Sequence, residues 1–113
     1  MTEPAPDMPE VSEAELVRRR WADDGAFAVY FYTPLCGTCK LGEKMLHVVR
    51  AIEPGAGIVK ANVNFMPSIV AEWKIESVPC LAFVEGKRVT EKLYTLRSVE
   101  NVLERVRTRL KKE

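Results

Sequence analysis

Hydrophobic positions along the chain mark out four short segments with the character of strands. Residues 26–32 are continuously apolar and rich in aromatic and β-branched side chains, a pattern typical of a strand buried on both faces. Residues 58–63 are predicted to form a second short strand, and residues 78–84 a third, interrupted near its start by Pro79. The tight turn Glu85–Gly86–Lys87 then leads into residues 88–93, which predicts an antiparallel pair.

Apolar residues at helical spacing fill the segments around these strands. Ser12 with Glu15 three residues later forms a capping box ahead of the first helix, and Ser98 caps the last one. A helix ending near Ile52 and a short helix from Pro67 lie between the strands. The crossovers require parallel strands and the turn adds antiparallel ones, so we predict an α/β fold. Its mixed sheet has about four strands, with helices on both faces.

Length and composition limit the chain to one domain. It has 113 residues, of which 47% are hydrophobic and 29% charged, an ordinary globular mixture. We assign residues 12–113 to a single domain. Residues 1–11, with three prolines among acidic residues, form a tail or a weak edge strand.

Net charge and hydropathy argue against nucleic acid and membranes as partners. Seventeen basic residues against sixteen acidic ones give a net charge of +1, which offers no field for nucleic acid or an anionic membrane. No apolar run reaches the roughly 20 residues of a membrane span. The acidic start lacks the basic and apolar regions of a signal peptide. We expect a cytoplasmic monomer with no nucleic-acid or membrane partner.

Two of the three cysteines, Cys36 and Cys39, lie where the strand at 26–32 gives way to a helix. Unpaired N–H groups and the positive end of the helix dipole stabilise a thiolate at that point, which lowers the pKa of Cys36. The thiolate is the nucleophile in disulfide exchange. Cys39 lies nearly one turn further on the same side, so we predict that Cys36 attacks and Cys39 resolves.

The same spacing occurs in metal sites, where a second pair of ligands is expected. Cys80 is a possible third ligand, whereas His47 lies about two turns beyond the pair. We therefore keep a metal or iron–sulfur protein using Cys36, Cys39 and Cys80 as an alternative to a redox protein that needs no bound cofactor. Cys80 could equally be a small core residue or a third redox thiol.

Several segments together resemble the thioredoxin family. Residues 24–32 leading into Cys36–Gly37–Thr38–Cys39–Lys40 are similar to its active-site strand and turn, residues 58–64 to its central strand, and residues 75–79 to its cis-proline loop. The likeness extends over about residues 12–110. It implies a thioredoxin fold, a cis bond at Val78–Pro79 beside the cysteines, and a Lys60 that favours thiolate. It also implies that substrate contacts Leu35, Gly37, Thr38, Val78 and Tyr94.

The resemblance implies a thiol–disulfide oxidoreductase that acts on protein disulfides and contributes to redox homeostasis. Its electrons would come from an NADPH-dependent thioredoxin reductase or a similar reductant.

Three residues depart from the usual pattern of the family. Tyr30 replaces a buried aspartate, and a phenol with a pKa of about 10 is a poor base, so we expect slow resolution. Thr38 replaces a proline between the cysteines, which favours a less reducing cysteine pair. Tyr94 replaces a glycine at which substrate approaches, which narrows the substrate-binding groove. A low-turnover binding module is therefore a further alternative.

Overall fold

A four-stranded mixed sheet forms the centre of the molecule. The computed structural model describes residues 7–22 and 25–110, so the predicted tail at 1–6 and the end of the predicted domain at 111–113 lie outside the described residues. The elements in chain order are α1 Glu13–Ala22, β1 Phe27–Tyr32, α2 Gly37–Ile52, β2 Ile58–Asn62, α3 Pro67–Glu72, β3 Cys80–Glu85, β4 Arg88–Leu93 and α4 Val99–Leu110.

The strand order is β2-β1-β3-β4, with β1 parallel to β2 and antiparallel to β3, and β3 antiparallel to β4. Phe27, Val29 and Phe31 of β1 face a core covered by α1 and α3. Ala28 and Tyr30 face a second core covered by α2 and α4. The predicted mixed sheet, the helices on both faces and the doubly buried first strand are confirmed.

Side-chain hydrogen bonds fix the starts of three helices. The hydroxyl oxygens of Ser12 and Ser98 accept the backbone N–H groups of Glu15 at 3.2 Å and Asn101 at 3.0 Å, which confirms both predicted caps. The Glu13 carboxylate accepts the Ile69 N–H at 2.8 Å. Because that N–H lies in the first turn of α3 and has no partner within the helix, this bond ties α1 to α3.

Three of the four strands differ from their predicted bounds by one or two residues at an end. The third strand begins at Cys80 rather than residue 78, because Pro79 has no N–H to donate to the sheet. The described part of the 1–11 segment makes one isolated bridge to the sheet, in which the Lys60 N–H donates to the Pro9 carbonyl at 2.8 Å. Met8 and Val11 are buried on either side of that bridge.

Tyr30 and Gly42 fit together where α2 packs on β1. The Tyr30 ring is fully buried, and its hydroxyl donates to the carbonyl of Cys39 in the first turn of α2 at 2.7 Å. A Cβ atom on Gly42 would overlap the Tyr30 hydroxyl oxygen and lie 3.1 Å from Leu96 Cδ1. Glycine at this point of α2 therefore makes room for the phenol.

We expect Gly42→Ala to destabilise the protein, although alanine is the better helix former. Overpacking costs about 1–3 kcal/mol, whereas the better helix propensity of alanine contributes about 1 kcal/mol of stability, so the free energy of unfolding should fall by up to about 2 kcal/mol. In a Tyr30→Phe background the clashing oxygen is gone and the loss should shrink markedly.

Urea denaturation of the four proteins in this cycle measures the coupling. Gly55→Ala is the matched control, because no atom lies within 4 Å of a Cβ there. Equal losses in the two backgrounds would show that the phenol does not set the requirement for glycine.

Candidate active site

Cys36 and Cys39 meet at the turn between β1 and α2. Their sulfurs lie at disulfide distance and their Cα atoms are 5.2 Å apart. Cys36 is the N-cap of α2, and its Sγ accepts the backbone N–H of Cys39 at 3.0 Å. The Thr38 hydroxyl lies 3.4 Å from the same sulfur. The site thus directs two hydrogen-bonding groups at Cys36.

The two cysteines differ in exposure. Cys39 is only 2% exposed, whereas Cys36 is half-buried and beside Leu35, which is 96% exposed. A large partner can therefore approach Cys36 and not Cys39. Apolar surface beside an accessible sulfur is suited to contact with another protein.

The loop before β3 forms the other side of the site. The peptide bond between Val78 and Pro79 is cis, and Pro79 borders a cavity of about 240 Å³ between α2 and the connection from β4 to α4. Most of the lining is apolar, and it comprises Thr38, Leu41, Gly42, Met45, Pro79, Tyr94, Thr95 and Leu96.

Two residues of β4 and its end hold this loop. The Lys92 ammonium donates to the carbonyls of Trp73 at 3.2 Å and Lys74 at 2.9 Å, where α3 ends. The Tyr94 hydroxyl accepts the Glu76 N–H at 3.2 Å and donates to the Lys74 carbonyl at 3.4 Å. Tyr94 thus directs its hydroxyl at the segment preceding Val78, and the residue also borders the cavity.

Beneath the cysteines, charged and phenolic side chains form a chain of contacts across the sheet. Lys60 lies opposite Tyr30 in the β1–β2 pairing and donates to the Glu43 carboxylate at 2.8 Å. Its ammonium lies 5.5 Å from the centre of the Tyr32 ring, and the Tyr32 hydroxyl donates to Glu10 at 2.6 Å. Burial and, secondarily, the Glu43 charge raise the pKa of Tyr30 above its ordinary value of about 10.

Comparison with known proteins agrees with this arrangement. The family model described as Thioredoxin matches residues 10–108. The chain belongs to the thioredoxin family. It is 37% identical over 100 residues to the thioredoxin-like protein YusE of Bacillus subtilis, covering 88% of this chain and 92% of that one. It is 30% identical over 82 residues to a thioredoxin of Porphyra purpurea, covering 71% and 77%.

A solved mutant thioredoxin from Halobacterium salinarum superposes with a TM-score of 0.77 over 99% of both chains at 17% identity, which shows the thioredoxin fold. Family membership and a cysteine pair at disulfide distance make this protein a thiol–disulfide oxidoreductase. Thioredoxin-family proteins act on protein disulfides and are themselves reduced by a reductase. None of the helices described is long and apolar enough to cross a bilayer.

Cys80 lies away from the redox pair in this thioredoxin fold. It pairs with Phe31 across the sheet and is buried in the core under α1 and α3, on the face opposite Tyr30. Burial raises the pKa of its thiol to about 11, against smaller opposing effects of Lys92 and the Tyr94 hydroxyl. In the described part of the chain, no three His, Cys, Asp or Glu residues converge on a metal position, so the metal alternative has no support.

Sequence reasoning missed three residues that shape this thioredoxin site. Glu43 binds Lys60, Gly42 makes room for Tyr30, and Lys92 holds the end of α3. Glu43 and Gly42 lie four and three residues after Cys39, a spacing that places them on its side of the helix and was available from the sequence. Lys92 had no such signal, because its partners are backbone carbonyls remote in sequence.

We expect Cys80 to be unreactive in the oxidised native protein. Its side chain is fully buried, and its pKa of about 11 keeps the thiol protonated at pH 8. Iodoacetamide at pH 8 should modify no cysteine in the folded oxidised protein and one after unfolding in guanidinium. Reduced folded protein is the positive control, because Cys36 is then accessible. Rapid modification of Cys80 in the folded oxidised protein would contradict the described burial.

Proposed function

We propose that Cys36 attacks the disulfide of a substrate protein and that Cys39 resolves the resulting mixed disulfide. The observation that carries this proposal is the position of Cys36 as N-cap of α2, with its sulfur accepting the Cys39 N–H at 3.0 Å. Unpaired N–H groups and the helix dipole stabilise a thiolate there. Cys39 is too buried to meet a protein disulfide first, so it acts second.

Each step exchanges one sulfur–sulfur bond. The Cys36 thiolate bonds to one substrate sulfur, and the other substrate sulfur leaves as a thiolate. Cys39 then loses its proton and attacks Cys36, which releases the first substrate sulfur and leaves a disulfide between Cys36 and Cys39. The substrate gains two electrons and the protein pair loses two.

The surface around the pair suits an extended segment of a substrate protein. Leu35 provides an exposed apolar contact, and the cavity bordered by Pro79 accepts a side chain. The Val78 backbone is available for a short strand-like pairing with substrate. We assign contact with substrate to Leu35, Gly37, Thr38, Val78 and Tyr94, and to Pro79 the orientation of the loop.

The return to the reduced state requires an external donor, which we assign to an NADPH-dependent thioredoxin reductase or a similar reductant. The exchange uses the protein's own sulfurs and no bound cofactor. We propose that residues 12–113 act as one domain, preceded by a tail or weak edge strand over 1–11. We also propose that the protein works as a monomer in the cytoplasm.

A low-turnover binding module is a second candidate, which one observation favours. The Tyr30 hydroxyl already donates to the Cys39 carbonyl, and burial raises its pKa further from neutrality. Tyr30 therefore does not take the proton that Cys39 must lose. If no other group does so, the protein would hold partners as long-lived mixed disulfides.

Variants of the two cysteines separate these roles. With oxidised insulin as substrate, we expect Cys39→Ser to accumulate a covalent adduct that dithiothreitol reverses, because the second step has lost its thiol. Cys36→Ser should form none, and the unaltered protein should reduce insulin without accumulating adduct.

An adduct on the unaltered protein with little insulin reduction would favour the binding module. An adduct with Cys36→Ser, or none with Cys39→Ser, would contradict the assigned order of attack.

We expect the pair to be less reducing than the potential of about −270 mV that is ordinary for thioredoxin. The Thr38 hydroxyl lies 3.4 Å from Cys36 Sγ and can donate to a thiolate, which stabilises the reduced form. Thr38→Val keeps the shape and removes the donor, so its potential should be more negative.

Equilibration with defined dithiothreitol buffers and counting of free thiols measures both potentials. An unchanged or less negative potential for Thr38→Val would contradict the role of the hydroxyl.

A further inference from the structure

Cys39 requires a proton acceptor that the two sulfurs do not supply. It must become a thiolate before it attacks the mixed disulfide. Because it is only 2% exposed, bulk water has little access to it. The ionisable side chains nearest in the fold are therefore the candidates for the acceptor.

The Tyr30 hydroxyl lies close to Cys39 but is already hydrogen-bonded to the backbone. Its hydroxyl proton lies in the bond to the Cys39 carbonyl at 2.7 Å, and the ring is fully buried. The Lys60 ammonium donates to the Glu43 carboxylate at 2.8 Å, so it is a hydrogen-bond donor in this arrangement. Both side chains therefore act as hydrogen-bond donors here, and neither presents a free acceptor to the Cys39 thiol.

Glu43 has the properties that these two residues lack. It lies four residues after Cys39 on α2, where side chains one turn apart have Cβ atoms about 5–6 Å apart. Its carboxylate is held by the Lys60 ammonium at 2.8 Å and is near enough to Tyr30 for its charge to affect that phenol. The Glu43 side chain is 36% exposed, so water can reach both the carboxylate and the edge of the site.

We propose that the Glu43 carboxylate, positioned by Lys60, accepts through a water molecule the proton that Cys39 loses during resolution. The inference rests on the proposed order of attack by Cys36 and Cys39. The proton moves from Cys39 Sγ to Glu43 as the Cys39–Cys36 bond forms. The released substrate thiolate, or solvent, then takes it from the carboxylic acid, so no other reactant is required.

Other ionisable groups lie near α2 on several of the elements packed against it. β1 contributes Tyr30 and Tyr32, and the N-terminal segment contributes Glu10, which the Tyr32 hydroxyl binds. β2 contributes Lys60, while Leu81 and Phe83 of β3, which share a core with α2, are apolar. Arg107 of α4 binds Glu53 at the opposite end of α2 at 2.6 Å. The ionisable residues of α2 on the side of Glu43 are Lys40, one turn before it, His47, one turn after it, and Arg50, two turns after it.

The resolving step can be isolated with 5,5′-dithiobis(2-nitrobenzoate). Cys36 of the reduced protein releases one thionitrobenzoate, and attack by Cys39 releases a second, whose leaving group needs no proton. In E43Q we expect the second release to slow by about tenfold or more at pH 6–7, given that a positioned base contributes about 10²–10⁴-fold. The deficit should shrink as pH rises, because Cys39 then ionises without help.

A matched control is E53Q, which removes another ion-paired carboxylate from the far end of α2. We expect its pH profile to follow that of the unaltered protein. Added imidazole, a small soluble base, should accelerate the second release in E43Q and leave E53Q unchanged. K60M should slow the second release in the same direction as E43Q, because the carboxylate loses its positioning partner.

Equal second-step rates for E43Q and the unaltered protein would overturn the inference. A slowing by one constant factor at all pH values, without rescue by imidazole, would also overturn it and would indicate a structural role. If the unaltered protein releases only one thionitrobenzoate per pair, the proposed order of attack fails instead. The two failures are therefore distinguishable.

Discussion

The hydrogen bond from the Tyr30 hydroxyl to the Cys39 carbonyl is the constraint around which the site is arranged. It joins the first turn of α2 to the middle of β1, a strand buried on both faces. The phenol occupies the space that a side chain at position 42 would need, so α2 carries Gly42 there. Because the hydroxyl proton is engaged, the phenol contributes structure rather than proton transfer. Any acid–base chemistry must come from another residue.

The opposite side of the site depends on a different set of bonds. The segment that leads to Val78 leaves the end of α3, where Lys74 has a left-handed backbone with φ of 56°. The Lys92 ammonium binds the carbonyls of Trp73 and Lys74, directly after α3, where a positive charge also suits the helix dipole. Tyr94 adds bonds to the same segment. Strand β4 therefore fixes the loop against which α2 presents the cysteines, although β4 itself contributes no sulfur.

Patterns local in sequence predicted most of this fold. Some features depend only on residues within a few positions of one another: the run at 26–32, which is apolar on both faces, and the helix caps at Ser12 and Ser98. The same holds for the cysteine pair at a strand-to-helix turn. Contacts across the sheet were harder to predict. Which face Cys80 occupies depends on the register of β3 against β1, and register is not encoded within either strand alone.

The fit of Gly42 to Tyr30 was missed for the same reason, since it depends on how α2 lies on the sheet. Glu43 could be predicted in part. Its spacing from Cys39 is evident from the sequence, but its ion pair with Lys60, seventeen residues further along the chain and on strand β2, is not.

Three cysteines in one small protein thus occupy three different chemical environments. Cys36 accepts an N–H at the start of a helix, which favours its thiolate. Cys80 lies in an apolar core, where burial raises its pKa to about 11 and keeps it a thiol. Cys39 is as buried as a core residue, yet its chemistry requires it to ionise. Burial protects this thiol from outside disulfides and also makes loss of its proton costly, so a nearby ion-paired carboxylate reconciles the two requirements.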